Sequence, residues 1–253
     1  MTRVALLPCL VLLACNLMQA SEPVTGSLFV KSLAGSITMD GKPLRQHETV
    51  DPAGHRFAVE GGPAGIVFSN GLAVLLKAGS RFSVTSITQV EPDPNLPLEH
   101  EAENARSDLV MSLEQGVAIF SNITPWATSQ FTLELPQGTL SGRISSLVAA
   151  ADTSPAELLL FQGTMRFTRP GKPDMTLISG QAVDLEEATI SERVGVVQNF
   201  SPNQQRAFTE LRDQAAYLRS IVFFSQLNGS WEGRVMIPKS KLKRPAENDY
   251  LMR

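Results

Sequence analysis

The chain has 253 residues, of which 43% are hydrophobic, and a formal net charge of −3 at pH 7. These values exclude a largely disordered chain, which needs low hydrophobicity, and a general polyanion-binding surface, which needs a basic excess. Eighteen Gly, 16 Pro and only 6% aromatic residues are typical of many short strands joined by tight turns.

Residues 1–20 are predicted to be an export signal and not part of the fold. Arg3 ends a short basic segment, an apolar segment runs from Val4 to Cys15, and Ala20 is a small residue near a suitable cleavage point. Two kinds of processing remain open, and both are favoured over a third, an uncleaved anchor, because the apolar run is short for spanning a bilayer. The tetrapeptide LLAC resembles a bacterial lipobox, which makes Cys15 the candidate lipidation residue, whereas cleavage after Ala20 would leave no anchor. The expected location is the periplasm or the cell exterior, with membrane contact only through such a lipid anchor.

Both cysteines of the chain, Cys9 and Cys15, lie in this segment. The exported chain is therefore expected to contain no disulfide, and burial of apolar surface must stabilise it. The same count excludes thiolate catalysis and cysteine-based zinc sites.

The segment from Phe68 to Phe82, FSNGLAVLLKAGSRF, predicts a hairpin. Asn70-Gly71 separates two apolar runs, and both turn positions favour positive φ, which Asn tolerates and Gly adopts without steric cost. From Phe82 to Ile87 apolar and polar residues alternate strictly, which predicts a strand with one buried face.

Short apolar runs separated by glycine-marked turns continue from Ser27 to Leu185. The glycines of these turns recur on a scale of about two dozen residues, which is also the length of one coil of a β-solenoid. They are Gly71, Gly116, Gly138, Gly163 and Gly180. The predicted fold class is therefore all-β, either a β-solenoid-like or a sandwich stack of short strands, with one carboxy-terminal amphipathic helix.

Residues 89–107 interrupt this pattern with three Pro and five acidic residues, and they predict a long insertion loop. His100 lies among the acids, but the ligand order of an EF-hand with its central Gly is missing. A solvated loop is therefore favoured over a metal site.

Residues 201–228 predict the helix. Ser201-Pro202 is a typical start, and Asn228-Gly229 is a typical stop. The apolar residues between them follow helical spacing, and the candidate partner-docking residues are Phe208, Leu211, Leu218 and Val222. Two uses remain open for this face: a lid over one open end of the β-stack, which hides strand edges, or a docking surface for another protein. Residues 229–253 are basic and are predicted to be a disordered tail.

The sequence contains no enzyme motif. His47, His55 and His100 lack metal-site spacing, and there is no GxSxG elbow, phosphate-binding loop or dinucleotide fingerprint. The prediction is a non-enzymatic protein with no cofactor, no metal site and no nucleic-acid partner.

Four segments occur in the order of the motifs of the FecR domain, an extracytoplasmic β-rich module of bacteria, and resemble them. FSNGLAVLLKAGSRF resembles its DGS-x-v-x-L-x-x-x-Ser-r segment, and SLEQGVAIF its L-x-G-x-v-x-F strand pair. FTLELPQGTLSGRI resembles its F-x-v-x-T-P-x-G-x-x-x-x-G-T segment, and MTLISGQAV its closing v-x-L-x-x-G-q-x-v. The resemblance covers residues 27–187.

The resemblance implies a β-rich fold with no catalytic residue. The best-known FecR proteins are transmembrane regulators that pass a siderophore signal from the outer membrane to a sigma factor. This sequence departs from that plan, because it shows neither a sigma-binding helical segment nor an internal transmembrane span, and Arg143 stands where the family often has Thr. What the resemblance implies here is an envelope interaction module.

The leading hypothesis is an exported, non-enzymatic FecR-domain protein that acts as an envelope binding or scaffold module for a protein or a polysaccharide. The first alternative is an accessory component of cell-surface signal transduction. The remaining alternatives are a cell-wall polymer hydrolase, which would need two facing carboxylates in a cleft, and a lipid carrier, which would need a continuous apolar trough.

Overall fold

A computed structural model describes residues 23–32, 34–90, 106–122, 129–152, 156–187, 189–192, 202–227 and 230–236. The export signal with Cys15, most of the insertion loop and the end of the basic tail lie outside these residues.

Almost all of the described elements are strands, and they are joined mostly by short turns. In chain order they are β1 (Pro23–Thr25), β2 (Leu28–Ser32), β3 (Ser36–Met39), β4 (Lys42–Pro43), β5 (Thr49–Val50), β6 (His55–Glu60), β7 (Ala64–Phe68), β8 (Ala73–Leu76), β9 (Arg81–Val90), β10 (Ser107–Ser121), β11 (Gln130–Leu135), β12 (Gly138–Ala151), β13 (Glu157–Thr168), β14 (Met175–Ile178), β15 (Gln181–Asp184), β16 (Ile190–Glu192), α1 (Pro202–Ile221), β17 (Val222–Leu227) and β18 (Ser230–Val235). The all-β class with one helix is confirmed for the described residues.

The first 16 strands form one hydrogen-bonded sheet that is folded into two layers. The A layer contains β2, β5, β7, β8, β15 and β16, and the B layer contains β1, β3, β4, β6, β9, β11 and β14. Neighbouring strands are antiparallel except for β10 and β11, which are parallel. The turn spacing allowed either a β-solenoid or a sandwich. The antiparallel pairing matches the sandwich, because strands in successive coils of a solenoid would pair in parallel.

Three long strands, β10, β12 and β13, pass from one layer to the other. The first half of β10 pairs with β9 and β11, and from Gly116 onwards the strand pairs with β8 and β12 instead. Gly116 has a φ of 92°, in the left-handed region that glycine favours. In β12 the register shifts between Ile144 and Leu147 accompany the same change of partners.

The main core, which we call the inner cluster, lies between the two layers. Its largest fully buried members are Phe68, Phe82, Phe120 and Phe167. Burial of each such side chain contributes about 1.5–3 kcal/mol to stability. Apolar burial therefore replaces disulfide bonds as the source of stability in the described part of the chain.

A second cluster, the outer cluster, lies on the opposite face of the A layer beneath α1 and the β17–β18 hairpin. It joins sheet residues such as Phe29 and Leu75 to Ala215, Leu218 and Ile221 of the helix. Because both faces of the A layer are covered, every residue of β7 and β8 is buried.

Two glycines let this cover approach the sheet. A Cβ on Gly65 would lie 2.4 Å from Leu218, and a Cβ on Gly233 would lie 2.4 Å from the Phe29 ring. Side chains at these positions would hold the helix and the hairpin away from the A layer. Glycine at these two positions therefore allows the helix and the hairpin to pack closely against the A layer.

The helix predicted within residues 201–228 is present, but its predicted end is wrong. It stops at Ile221, and Val222–Leu227 forms a strand that pairs with Ser230–Val235. The reason is local composition, since Val222, Phe223 and Phe224 are β-branched or aromatic residues that favour strands. The prediction of disorder is wrong for 230–235 as well, and the tail beyond Met236 lies outside the described residues.

The structure also corrects the expected position of the helix. It lies across the outer face of the A layer, against β7, β8 and β10, and not over an open end of the stack. That face is apolar and needs a cover, because Phe29, Val67 and Leu75 would otherwise be exposed to water.

The hairpin predicted at Asn70-Gly71 is confirmed, with β7 paired to β8 and a φ of 88° at Gly71. Gln89 and Ser107, the predicted ends of the insertion loop, lie in β9 and β10, and residues 91–105 are outside the described range. Within the described residues, no helix combines the length and the apolar character needed to span a membrane.

Candidate functional site

Polar side chains are buried together at one end of the sandwich. The ends of β7 and β10, the start of β10 and the residue before β11 meet there. The buried polar residues of this end are Ser69, Asn70, Gln89, Ser107, Ser121, Asn122 and Ser129, all less than 9% exposed. Buried polar groups are costly unless they are hydrogen-bonded, so each one requires an account of its partners.

Most of these groups are satisfied within the chain. Asn70 accepts a hydrogen bond from Leu72 N at 3.1 Å and donates one to Ser107 Oγ at 3.0 Å. Ser107 N in turn donates to Ser129 Oγ at 3.0 Å. Ser69 Oγ accepts from Ser27 N at 2.8 Å. The turn between β7 and β8 is thereby fixed to the strands beside it.

A cleft opens among these residues. It has room for roughly one water molecule, about 10 Å³, and the about 270 Å³ of empty space around that position includes open solvent. The cleft is lined by Asn70, Leu72, Ser107, Asn122, Ser129, Gln130, Phe131, Gly142, Arg143 and Ile144. No carboxylate is among these described lining residues.

Asn122 differs from the other polar residues of the cleft. Its backbone is fixed on both sides, since its N–H donates to Ser145 O at 2.9 Å and its carbonyl accepts from Arg219 Nη1 at 2.5 Å. Asn122 is 8% exposed, and its buried Oδ1 has no hydrogen-bond partner among the described residues. The structure thus fixes the backbone of Asn122 and presents a side-chain acceptor that the described chain does not use.

The remaining walls give the cleft two chemical zones. Leu72, Phe131 and Ile144 form an apolar floor, and Phe131 is held edge-on against Phe120 with ring centroids 5.5 Å apart. Gln130 and Arg143 are exposed and stand at the mouth. An apolar floor with a few polar groups is the usual composition of a small-ligand site, but the space in this cleft admits only one group of about the size of a water molecule.

A second polar contact, between Asp40 and His55, lies on the surface of the B layer. His55 Nδ1 is 2.6 Å from Asp40 Oδ2, and Arg56 N donates to Asp40 Oδ1 at 3.0 Å. The hydrogen bond from His55, followed by that from the Arg56 backbone, lowers the pKa of Asp40 below its ordinary value of 3.8. Neither side chain lines the cleft, and the contact joins the start of β6 to the turn after β3.

The docking residues predicted on the helix have a different environment from the one expected. Leu218 and Val222 are 1% and 6% exposed and belong to the outer cluster, so they pack within the chain. The side chains of Phe208 and Leu211 lie outside the described part of the structure, as does Cys15.

The sequence reasoning missed the cleft. Asn70 was interpreted only as a turn residue, and Asn122 and Ser129 were given no role. Four chain segments build the site around Asn122, namely the β7–β8 turn, the start of β10, the start of β11 and the middle of β12. A polar residue at the end of a strand, like Asn122, was the only local signal.

No family model matches the chain, and no curated protein matches it. Two crystal structures of a candidate anti-sigma factor from Parabacteroides distasonis are similar to it. Their TM-scores are 0.37 and 0.36, at 11% and 10% sequence identity. The similarity covers 72% and 70% of this chain, and 99% and 96% of the two crystallised chains.

Proposed function

We propose that the protein is an exported, non-enzymatic binding module of the bacterial cell envelope, and that it holds its ligand in the cleft beside Asn122. The observation that carries the proposal is the buried Oδ1 atom of Asn122, which lines the cleft and has no partner in the described chain. A bound ligand that donates a hydrogen bond would supply that partner.

The energetic argument is direct. An unsatisfied buried acceptor costs about 1–3 kcal/mol, so an apolar residue of similar size would stabilise the fold more than Asn122 does. A residue that weakens the free protein is explained if it strengthens a complex. The backbone hydrogen bonds of Asn122 with Ser145 and Arg219 support the same view, because they hold the backbone that carries the acceptor in place before a ligand arrives.

The cleft gives less support to the two other hypotheses. A hydrolase of the usual type would use two carboxylates, and the described lining has none. A lipid carrier would need an apolar trough, whereas amides, hydroxyls and a guanidinium form the walls here.

An accessory role in signal transduction is the second candidate function, and it is favoured by the resemblance to FecR domains. Gly79, Ser80 and Gly116, which lie in two of the resembling segments, are close together at the corner where the chain turns from β8 to β9 and where β10 changes layers. Deletion of the gene, followed by measurement of transcripts for outer-membrane receptors, would separate this role from simple binding.

The proposed function is tested with the exported, processed protein and bacterial sacculi that retain their attached polymers. Cosedimentation is measured for the natural chain and for Asn122→Leu. We expect the variant to bind about tenfold more weakly, as one lost hydrogen bond predicts. We also expect its melting temperature to be equal or higher, because the substitution removes an unpaired acceptor.

Gln137→Met is the matched control. Gln137 also carries a buried amide oxygen without a described partner, but it lies at the other end of β11 from the cleft. Its substitution should leave binding unchanged. Equal binding by the natural chain and Asn122→Leu, or a marked loss of stability in Asn122→Leu, would overturn the proposal, since Asn122 would then have no ligand or a structural role.

A further inference from the structure

The β17–β18 hairpin contacts the A layer around the ring of Phe29, a residue of β2 that is 1% exposed. The ring is edge-on to Phe224 of β17, with ring centroids 6.5 Å apart, and a Cβ on Gly233 of β18 would clash with it. The Gly233 N–H donates to Thr49 Oγ1 of β5 at 3.1 Å. The Phe29 ring and this hydrogen bond thus connect the hairpin to the sheet.

His47 contacts the same ring from the loop before β5. Its imidazole is stacked on Phe29, with ring centroids 5.8 Å apart and an angle of 12° between the planes. The backbone of His47 has a φ of 67°, in the left-handed region that residues other than glycine occupy at a cost, and its N–H donates to Val30 O at 2.8 Å. This backbone conformation places the imidazole against Phe29.

A hydrogen bond between His47 and Lys31 requires the imidazole to be neutral. Lys31 Nζ lies 2.9 Å from His47 Nε2. An ammonium group has no acceptor, so Nε2 accepts and the proton of the neutral ring is on Nδ1. A protonated imidazole donates from both nitrogens. Protonation of His47 would therefore remove this hydrogen bond and place a second positive charge beside that of Lys31.

The acidic residues around this contact already have partners. The strands β2, β5, β7 and β17 contain no acidic residue. In the loop before β5, Glu48 accepts from Arg45 N at 2.7 Å, and just after β5 Asp51 accepts from the backbone two residues further on. In β18, Glu232 pairs with Arg234 at 3.2 Å. Within the described residues, these contacts leave the repulsion between an imidazolium and Lys31 without a new compensating ion pair.

We propose that His47 and Lys31 form a pH switch for the β17–β18 hairpin. The neutral imidazole accepts from Lys31 and supports Phe29 beneath the hairpin, and the imidazolium is repelled by Lys31 and loosens the hairpin from the A layer. Histidine changes charge between about pH 5 and 8, so the hairpin is held at the upper end of this range and loosened at the lower end. The switch does not depend on the proposed function, because none of its residues lines the cleft.

The test measures hydrogen exchange of the Gly233 amide by NMR at about pH 7.5 and about pH 5, on either side of the histidine range. This amide donates to Thr49 across the boundary between hairpin and sheet, so its protection factor, corrected for the intrinsic rate at each pH, reports whether the hairpin is in contact with the sheet. We expect the protection factor of the natural chain to fall about fivefold in acid, as the loss of one partly exposed hydrogen bond predicts. The amides of the β12–β13 ladder should keep their protection.

Three variants separate the switch from other effects of acid. His47→Asn removes the titrating ring, and because Asn tolerates the left-handed backbone, we expect equal Gly233 protection at both pH values. Lys31→Met keeps an apolar stem and removes the charge, so the fall should be less than about twofold. His55→Gln is the matched control, since His55 is on the B layer beside Asp40, and it should keep the full fall.

Four results would overturn the proposal. The first is equal Gly233 protection at both pH values in the natural chain. The second and third are a full fall in His47→Asn or in Lys31→Met, because the titrating group or the repulsion would then lie elsewhere. The fourth is an equal fall in the β12–β13 amides, which would mean that acid weakens the whole fold and not the hairpin.

Discussion

Two buried polar positions of this protein, Ser80 and Asn122, differ in how they are satisfied. Ser80 is fully buried at the corner where the chain turns from β8 to β9 and β10 changes layers, and its hydroxyl donates to Val117 O and accepts from Val117 N, both at 3.1 Å. Asn122 directly follows the end of β10, and its buried Oδ1 has no hydrogen-bond partner among the described residues. The Ser80 hydroxyl makes its hydrogen bonds within the chain, whereas Asn122 Oδ1 requires a hydrogen-bond donor from outside the described chain.

The difference separates a buried polar residue that stabilises the fold from one that we propose serves binding. A satisfied buried hydroxyl stabilises the fold, and its removal leaves a backbone group unpaired. An unsatisfied one weakens the fold, and its removal should cost only binding. Ser80 lies within the segment that resembles the FecR domain, whereas Asn122 lies outside the four resembling segments. The resembling segments therefore include the corner and much of the cleft wall, but not Asn122 itself.

The largest effect on this comparison is expected from Gly116→Ala. Gly116 has a φ of 92°, and a Cβ there would lie 2.6 Å from Ser80 Cα and 2.5 Å from Ser80 Oγ. Backbone strain and the clash together should destabilise the protein by about 2–4 kcal/mol, which urea unfolding would measure. A loss below about 0.5 kcal/mol would mean that the corner can relax, and that Ser80 is not held as tightly as its hydrogen bonds indicate.

Ser80→Ala should have the next largest effect. The substitution leaves the N–H of Val117 without its partner, while Val117 O still accepts from Lys77 N at 3.0 Å. One orphaned donor corresponds to about 1–2 kcal/mol. Urea unfolding would measure the loss, and cosedimentation with sacculi should be unchanged. A stability equal to that of the natural chain would put Ser80 in the same category as Asn122 and would remove the distinction.

The corner was accessible to sequence reasoning because its signals are local. Asn70-Gly71 and Gly116 occur between apolar runs, and the structure places turns or layer changes at both. The same kind of signal was misinterpreted at Asn228-Gly229, where the pair was taken as a helix stop although paired strands lie on either side of it. The apolar residues before that pair are compatible with both a helix and a strand.

The cleft could not be predicted in the same way. The environment of Asn122 depends on two distant parts of the chain. One is the β7–β8 turn, and the other is Arg219 of α1, which lies 97 residues further along the chain. The absence of a partner for Oδ1 is a property of the assembled fold and leaves no pattern in the surrounding sequence. The burial of Leu218 followed from helical spacing, but the surface that it packs against did not.

Asp40→Asn should have the smallest effect on stability. It tests whether burial determines how strongly a satisfied polar contact stabilises the fold. The Asp40–His55 contact is satisfied like that of Ser80, but it is exposed to solvent. Asn tolerates the φ of 50° at this position, so the substitution changes charge without adding backbone strain.

The effect of Asp40→Asn should also depend on pH. Because the pKa of Asp40 in the folded protein is lowered from 3.8, mainly by the hydrogen bond from His55, the ionised carboxylate stabilises the fold at pH values above 3.8. That contribution is lost as the pH falls through the lowered value. Melting temperatures of the natural chain and the variant should differ by a small, constant amount above pH 3.8 and converge below it. A difference that is as large as that of Ser80→Ala, or that persists in acid, would show that this exposed contact stabilises the fold by something other than the charge of Asp40.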